Sequence, residues 1–343
     1  MDSINRILLT RMKYIGDVIL TTPIIRAVRE RFPSAFIAYL GDKNAVSLLE
    51  GNPYLDEIIP YDFSKPSIIE QTRVAVKLRR RRFDVVVDLF SNPRSALLTL
   101  ASGAPIRIGK DVKGRGMFYT HRMGDFGSLT CAIEYHYQYV KPLGVEPKYW
   151  KTEIFLTEEE KREARTCLEL NGVDLARPIV AVHPGATWPN KVWLKESFVE
   201  LIDRLRAKLG VQAILSPGPG DKELVEYISR SSASVHVLPV LPVRQLAGIL
   251  SLCKVFVSND CGPMHIGVGV GTKTIGIFGP EPVEVWFPYP PEEGHLALFK
   301  KIECSPCRLT KCFREGGHFM ECMKLISVQE VFEEVRKRLE VGG

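Results

Sequence analysis

The stretch Arg6-Ile7-Leu8-Leu9-Thr10-Arg11-Met12-Lys13-Tyr14-Ile15-Gly16-Asp17-Val18 decides the fold. Its apolar run, Arg6 to Thr10, has the length and composition of a buried strand. Gly16-Asp17 interrupts it, and a helical pattern continues from about Val18 to Phe32. A second strand, Ala35 to Leu40, follows Pro33, and a third, Asp84 to Leu89, follows a basic helix. Strands alternating with helices predict a parallel, doubly wound sheet. The grammar then restarts. Ile179–His183 reads as a strand, Lys195–Leu209 as a helix and Gln212–Leu215 as a strand, continued by Val255–Ser258 and Thr274–Phe278. Between the two series lie the Gly- and Pro-containing passage Lys141–Pro147 and the helix Glu158–Asn171, which places a hinge within 145–177.

Length agrees with this division, since 343 residues suit two cores of roughly 150 to 170 residues each. The 45% hydrophobic and 25% charged composition is that of an average globular protein. No run approaches the roughly 18 consecutive apolar residues of a spanning helix, and Met1-Asp2-Ser3-Ile4-Asn5-Arg6 lacks a signal-like pattern. A cytoplasmic protein is expected. Eight cysteines in such a chain are expected to be mostly reduced. The +6 charge is uneven: residues 1–150 hold 22 Lys and Arg against 15 Asp and Glu, and the remainder 24 against 25. The basic first half suits an anionic partner, whether lipid surface, phosphorylated glycolipid or nucleic acid.

The motifs choose among the enzymes built on two such domains. A dehydrogenase needs a glycine fingerprint between the first strand and helix, where this chain has only Gly16. The richer run, Gly267-Val268-Gly269-Val270-Gly271, precedes a strand and is discounted. Asp17 lies on the first strand-to-helix loop, at the sheet edge where open α/β folds place their sites. It can take a proton from a substrate hydroxyl or merely cap the helix. Lys13 and Arg11 are close enough in sequence to keep it ionised or to hold phosphate.

The loop His183-Pro184-Gly185-Ala186-Thr187-Trp188-Pro189-Asn190-Lys191 combines a glycine, a hydroxyl and a cation suited to a diphosphate. Trp188 and Trp193 read as packing residues. In Ser258-Asn259-Asp260-Cys261-Gly262-Pro263-Met264-His265, Pro263 marks a helix start whose amides, from Gly262 to Met264, form an anion site. Asp260 can cap that helix or bind a sugar hydroxyl, and His265 can contact phosphate or pack.

Taken in order with Thr21-Thr22-Pro23 and Phe278-Gly279-Pro280, these motifs resemble the ADP-heptose:lipopolysaccharide heptosyltransferases, the family 9 glycosyltransferases. The resemblance spans nearly the whole chain. It implies a GT-B fold, two Rossmann-like parallel-sheet domains facing a central cleft. The expected divisions are an acceptor-binding domain over 1–160, a nucleotide-sugar-binding domain over 161–325, and a terminal helix within 326–343 that can cross back to the first domain. It further implies inverting transfer without a metal or other cofactor, with Asp17 as base and Lys191 on the donor diphosphate. Thr187, Asp260, Cys261, Gly262, Pro263, Met264 and His265 complete the expected donor site, and Asp221 and Glu223 fall where the nucleoside is met. Arg11, Lys13, Arg115 and His121 are the expected acceptor contacts. The implied donor is ADP-L-glycero-D-manno-heptose. The implied acceptor is a lipopolysaccharide core precursor, Kdo-lipid A or heptosyl-Kdo-lipid A, met by a monomeric enzyme peripheral to the cytoplasmic face of the inner membrane. The cysteine-rich tail favours the second heptosyltransferase over the first.

Two features stand beside this reading. The run Lys77-Leu78-Arg79-Arg80-Arg81-Arg82 is either a solvated helix face or a contact for anionic headgroups; no nucleic-acid motif accompanies it. Cys304, Cys307, Cys312 and Cys322, with His318 near, have spacing compatible with a structural metal site, a disulfide or free thiols. The alternatives are a relative using another nucleotide sugar or acceptor, and a non-catalytic lipid- or nucleic-acid-binding protein on the same fold. Retention of both Asp17 and Lys191 speaks against the second.

Overall fold

Ile7, Leu8 and Leu9 are completely buried and form the centre of β1 (Arg6–Thr10), the strand around which the first sheet is built. The computed structural model describes residues 4–126, 131–232 and 235–340, so the start Met1-Asp2-Ser3 lies outside it. Contacts divide the chain into two units, Met1–Phe155 and Leu156–Gly343. The boundary therefore falls ahead of the expected 160/161.

In the first unit β1 is followed by α1 (Ile15–Ile19), α2 (Thr22–Arg31), β2 (Phe36–Asp42), α3 (Lys43–Val46) and β3 (Glu57–Tyr61). Then come α4 (Ser67–Arg81), β4 (Val85–Asp88), α5 (Pro93–Ser102), β5 (Ile106–Lys110), β6 (His121–Met123) and α6 (Ala132–Val140). The sheet order is β3-β2-β1-β4-β5-β6, with every pair parallel. Leu8, Ala38, Leu40 and Val86 on one face pack against Val74 and Leu78 of α4 and Leu98 of α5. Local chemistry sets the boundaries of α5. Asn92 accepts a hydrogen bond from the Ser95 amide, Pro93 opens the first turn, and Gly103 closes the helix at φ 69°.

The second unit runs α7 (Glu158–Leu170), β7 (Ile179–His183), α8 (Lys195–Leu209), β8 (Gln212–Leu215), α9 (Lys222–Ser231), β9 (Val235–Val237) and α10 (Val243–Ser251). It continues with β10 (Val255–Asn259), α11 (Gly262–Gly269), β11 (Lys273–Phe278), α12 (Val283–Trp286), β12 (Leu296–Phe299), α13 (Glu321–Lys324) and α14 (Val328–Glu340). Its sheet, β12-β11-β10-β7-β8-β9, is again parallel throughout. Trp193 is buried in its core, edge-on to Phe198, and donates its indole N–H to the Ile326 carbonyl at 2.9 Å. The terminal helix α14 packs on α8 and buries Val331, Phe332 and Val335 in this same core. Its apolar stripe is thus packed within the second unit.

The first helix differs from the sequence reading. Instead of one helix from Val18 there are two short ones, and Asp17 sits inside the first turn of α1. Its carboxylate accepts from the Tyr14 amide at 3.3 Å, reaching back from N3 as the acid of a capping box does.

At the start of the second unit Glu160 performs two tasks. It accepts the Thr157 amide at 2.8 Å and pairs with Arg244 of α10 at 2.6 Å. The Arg244 hydrogen bond draws the Glu160 carboxyl down from 4.5 to about 2. A carboxyl lowered by folding stabilises the fold fully above its ordinary value, and that contribution disappears as pH falls towards the lowered one. Glu160→Gln is therefore expected to cost about 1–2 kcal/mol at pH 7. The gap from wild type should close between pH 4.5 and about 2, as read by urea denaturation at a series of pH values.

Candidate functional site

Parallel strands bring their C-terminal ends to one edge of each sheet, and the expected site residues other than His121 lie on the loops and helix starts that follow those ends. In the first unit Asp17 is nearly buried, and the Arg11 guanidinium forms an ion pair with it. The other arm of Arg11 donates to the Leu89 carbonyl at 3.0 Å, and the guanidinium lies 4.5 Å from the Phe90 ring centroid. Arg11, expected on acceptor phosphate, is thus committed to holding Asp17. The loop that receives it is fixed by buried Asp88. The Asp88 carboxylate accepts the Phe90 and Ser91 amides at 3.0 and 2.8 Å and the Tyr119 hydroxyl at 2.7 Å. Arg115 reaches the same loop, donating to the Ser91 carbonyl at 2.9 Å. Lys13 lies over the Phe63 ring at 4.2 Å. His121 is not brought there. It is exposed on the edge strand β6, its Nδ1 3.1 Å from the Thr120 hydroxyl.

In the second unit the loops after β7, β8, β10 and β11 converge. Asn259, at the end of β10, donates to the Pro184 carbonyl at 2.7 Å and accepts the Trp193 amide at 3.1 Å, tying the β7 loop in place. Lys191 then meets Asp260 at 2.8 Å, with its ammonium 4.4 Å from the centre of the Trp188 ring. Burial raises the Asp260 carboxyl and Lys191 opposes that shift. Asp260 therefore partners a lysine; it does not cap α11. The cap position belongs to Cys261, whose side chain makes no capping bond. The expected row of amides also shrinks. Pro263 has none, and Met264 donates to the Cys261 carbonyl at 3.1 Å, which leaves the Gly262 amide uncapped by any side chain. The Met264 side chain is fully buried.

His265 is buried and lies 2.6 Å from the Tyr289 hydroxyl, and burial pushes its pKa down to about 3. The ring is neutral and packed. His183 donates from Nδ1 to the Ser216 carbonyl at 2.6 Å, leaving Nε2 4.0 Å from Asp221. Asp221 accepts the Gly218 amide at 2.7 Å and lies directly against Gly185, where any Cβ would collide with its carboxylate. Thr187 and Glu223 are exposed.

One member of this cluster escaped sequence reading. Glu281 directly follows Phe278-Gly279-Pro280 and is buried, accepting the Trp286 indole N–H at 2.9 Å. Burial raises its carboxyl, Lys191 lowers it and Asp260 raises it further, so the three share one electrostatic neighbourhood. An acid immediately beyond the C-terminal end of β11 was the available signal.

Residues 71–317 match the family described as glycosyltransferase family 9 (heptosyltransferase). The chain belongs to that family. This family 9 glycosyltransferase is 24% identical to lipopolysaccharide heptosyltransferase 2 of Escherichia coli, over 97% of its own length and 98% of the relative's. It is also 24% identical to an Escherichia coli lipopolysaccharide heptosyltransferase 3, over 81% and 84%. Among solved structures, a family 9 glycosyl transferase from Veillonella parvula superposes with a TM-score of 0.86 at 25% identity, and Escherichia coli ADP-heptose heptosyltransferase II with 0.80 at 22%. Each match covers 98% of both chains. The two Rossmann-like units are thus those of the GT-B glycosyltransferases.

In this family 9 chain Cys304, Cys307, Cys312, Cys322 and His318 line one small cavity, and all four thiols are free. Among the described residues no group of three or more His, Cys, Asp or Glu is arranged to hold a metal ion. The segment that carries them braces the loops after β7 and β11: Leu309 accepts the Asn190 side-chain amide at 2.7 Å, and the Arg308 amide donates to the Pro280 carbonyl at 2.8 Å.

The Lys191–Asp260 pair gives a direct test. Lys191→Met strands a buried carboxylate and is expected to lower stability by about 3–5 kcal/mol, whereas the double variant Lys191→Met/Asp260→Asn should recover most of that loss. Chemical denaturation of the four chains of the cycle measures it.

Proposed function

We propose that this glycosyltransferase moves L-glycero-D-manno-heptose from ADP-heptose to the lipopolysaccharide inner core, extending an existing heptose as the second heptosyltransferase does. The observation that carries the reading is the Asp17 carboxylate, held in the first turn of α1 by Arg11 and the Tyr14 amide in a chain of family 9. A carboxylate so oriented serves as general base. The acceptor hydroxyl loses its proton to Asp17 as its oxygen attacks the anomeric carbon. The bond from that carbon to the ADP oxygen breaks on the opposite face, and the configuration inverts.

Charge gathering on the departing diphosphate is met by Lys191 and the Gly262 amide, a preorganised electrostatic role that needs no metal ion. Asp260 holds Lys191 in position until the donor arrives and then faces the sugar hydroxyls. Asp221 and Glu223 meet the nucleoside, with Thr187 beside the diphosphate. Lys13 and Arg115 hold acceptor anions. The enzyme works as a monomer, peripheral to the cytoplasmic leaflet of the inner membrane that displays its acceptor.

Transfer from ADP-heptose to heptose-deficient core acceptor tests this. Asp17→Asn is expected to reduce turnover by about 10²–10⁴-fold with ADP affinity unchanged, and wild-type turnover is expected to persist in excess EDTA. Wild-type turnover by Asp17→Asn would remove Asp17 from the mechanism.

A further inference from the structure

In the first unit eight large hydrophobic side chains are exposed among the described residues, and six of them occupy one region: Ile68, Ile69, Val76, Leu97, Leu100 and Met117. Single exposed apolar residues are ordinary; a cluster is not. Ile68 is 74% exposed and Met117 72%. The helices explain the cluster. On α4 the core face is Glu70, Val74 and Leu78, at every fourth position, while Ile68, Thr72, Val76, Arg79 and Arg80 follow one another along the outward face. On α5 the outward positions Pro93, Leu97, Leu100 and Ala101 fall on one stripe. The two helices pack side by side, and the short turn Arg115–Phe118 packs on α5. The three elements therefore form one row.

The C-terminal end of the same row is cationic. Arg79, Arg80 and Arg82 line an open hollow of about 640 Å³ together with Gly103 and Pro105. The neighbouring bases Lys77 and Arg81 share the single carboxylate of Glu57, at 2.9 and 2.8 Å, which leaves that trio with one net positive charge. Arg79, Arg80 and Arg82 form no ion pair among the described residues. Asp84, at the rim of the hollow, spends its carboxylate on the Asn5 and Arg6 amides at 2.8 and 2.9 Å. Glu70 is the sole acid of α4 and is buried against Arg73, and α5 has none.

We infer that this α4–α5 face is the surface by which the protein lies on an anionic lipid bilayer. Aliphatic side chains enter the headgroup boundary while arginines, flexible on their apolar stems, meet lipid phosphates. A second copy of the chain fits poorly, because the α4 and α5 helices of its matching face offer no exposed acid to meet these arginines. Nucleic acid fits poorly as well, since the exposed side chains are aliphatic and offer no stacking platform. The inference deepens the lipid-linked acceptor proposed above and rests on that reading for its purpose, though not for its test.

The test is co-sedimentation of the full chain with vesicles of 3:1 phosphatidylcholine to phosphatidylglycerol and with pure phosphatidylcholine. Wild type is expected to bind the anionic vesicles preferentially. The variant Arg79→Ala/Arg80→Ala/Arg82→Ala is expected to lose about a hundredfold in partitioning, and Ile68→Ser/Ile69→Ser/Leu97→Ser about tenfold or more. Arg165→Ala/Lys301→Ala/Lys311→Ala, which removes the same charge from exposed positions of the second unit, should bind as wild type. Equal binding by the two charge variants, or no preference for anionic lipid, overturns the inference. So does a concentration-dependent dimer in sedimentation velocity that the α4–α5 variants abolish. Failure of wild type to transfer heptose would strike the proposed function and leave the vesicle result standing.

Discussion

A parallel pair of strands cannot be joined by a tight turn; the chain must cross over the sheet before it can add the next strand. Both sheets here consist entirely of such pairs. Every strand of a sheet therefore ends at the same edge, and the loops leaving those ends are gathered there whatever their sequences. The site residues of each unit inherit their positions from this constraint. Asp17 follows β1 and Asp88 ends its neighbour β4; Lys191, Asp260 and Glu281 follow β7, β10 and β11, three adjacent strands.

The two edges solve a common electrostatic problem in opposite ways. A carboxylate taken out of water must be given a partner. In the first unit the cation serves the acid: Arg11 spends one arm on Asp17 and the other on the Leu89 carbonyl, so the carboxylate is steered as well as neutralised. In the second unit the acid serves the cation, with Asp260 holding Lys191 over the Trp188 ring. A guanidinium with fixed arms suits the first task, and a single mobile ammonium that can turn to an arriving anion suits the second.

The sequence was most legible where elements are buried on every side. Lys195–Leu209 and Gln212–Leu215 were read to the residue, because continuous apolar pattern and a following Gly210 leave few alternatives. The strands that went unread were β3, β5, β6, β9 and β12, and all but β5 lie at sheet edges. Edge strands are half-exposed and tolerate residues such as Pro60, so β3, β6 and β9 carry no sustained apolar run, while β12, Leu296-Ala297-Leu298-Phe299, is apolar but only four residues long. β5, Ile106-Arg107-Ile108-Gly109-Lys110, is interrupted by Arg107 and Gly109 and so presents no apolar run either. Of the site, the loops were legible and the pairings were not. Asp260 looked like a cap and Arg11 like a phosphate ligand because partners supplied by other strands do not show in local sequence. Glu281 is the extreme case, since its neighbourhood with Lys191 exists only after β7, β10 and β11 are aligned.

If the second unit is built to hold an adenosine diphosphate around Lys191, the nucleotide alone should reveal it. Isothermal titration of the full chain with ADP, UDP and GDP is the most direct measurement. The account predicts that ADP binds tighter than either of the others by about tenfold or more. Equal affinities, or a preference for UDP, would contradict it.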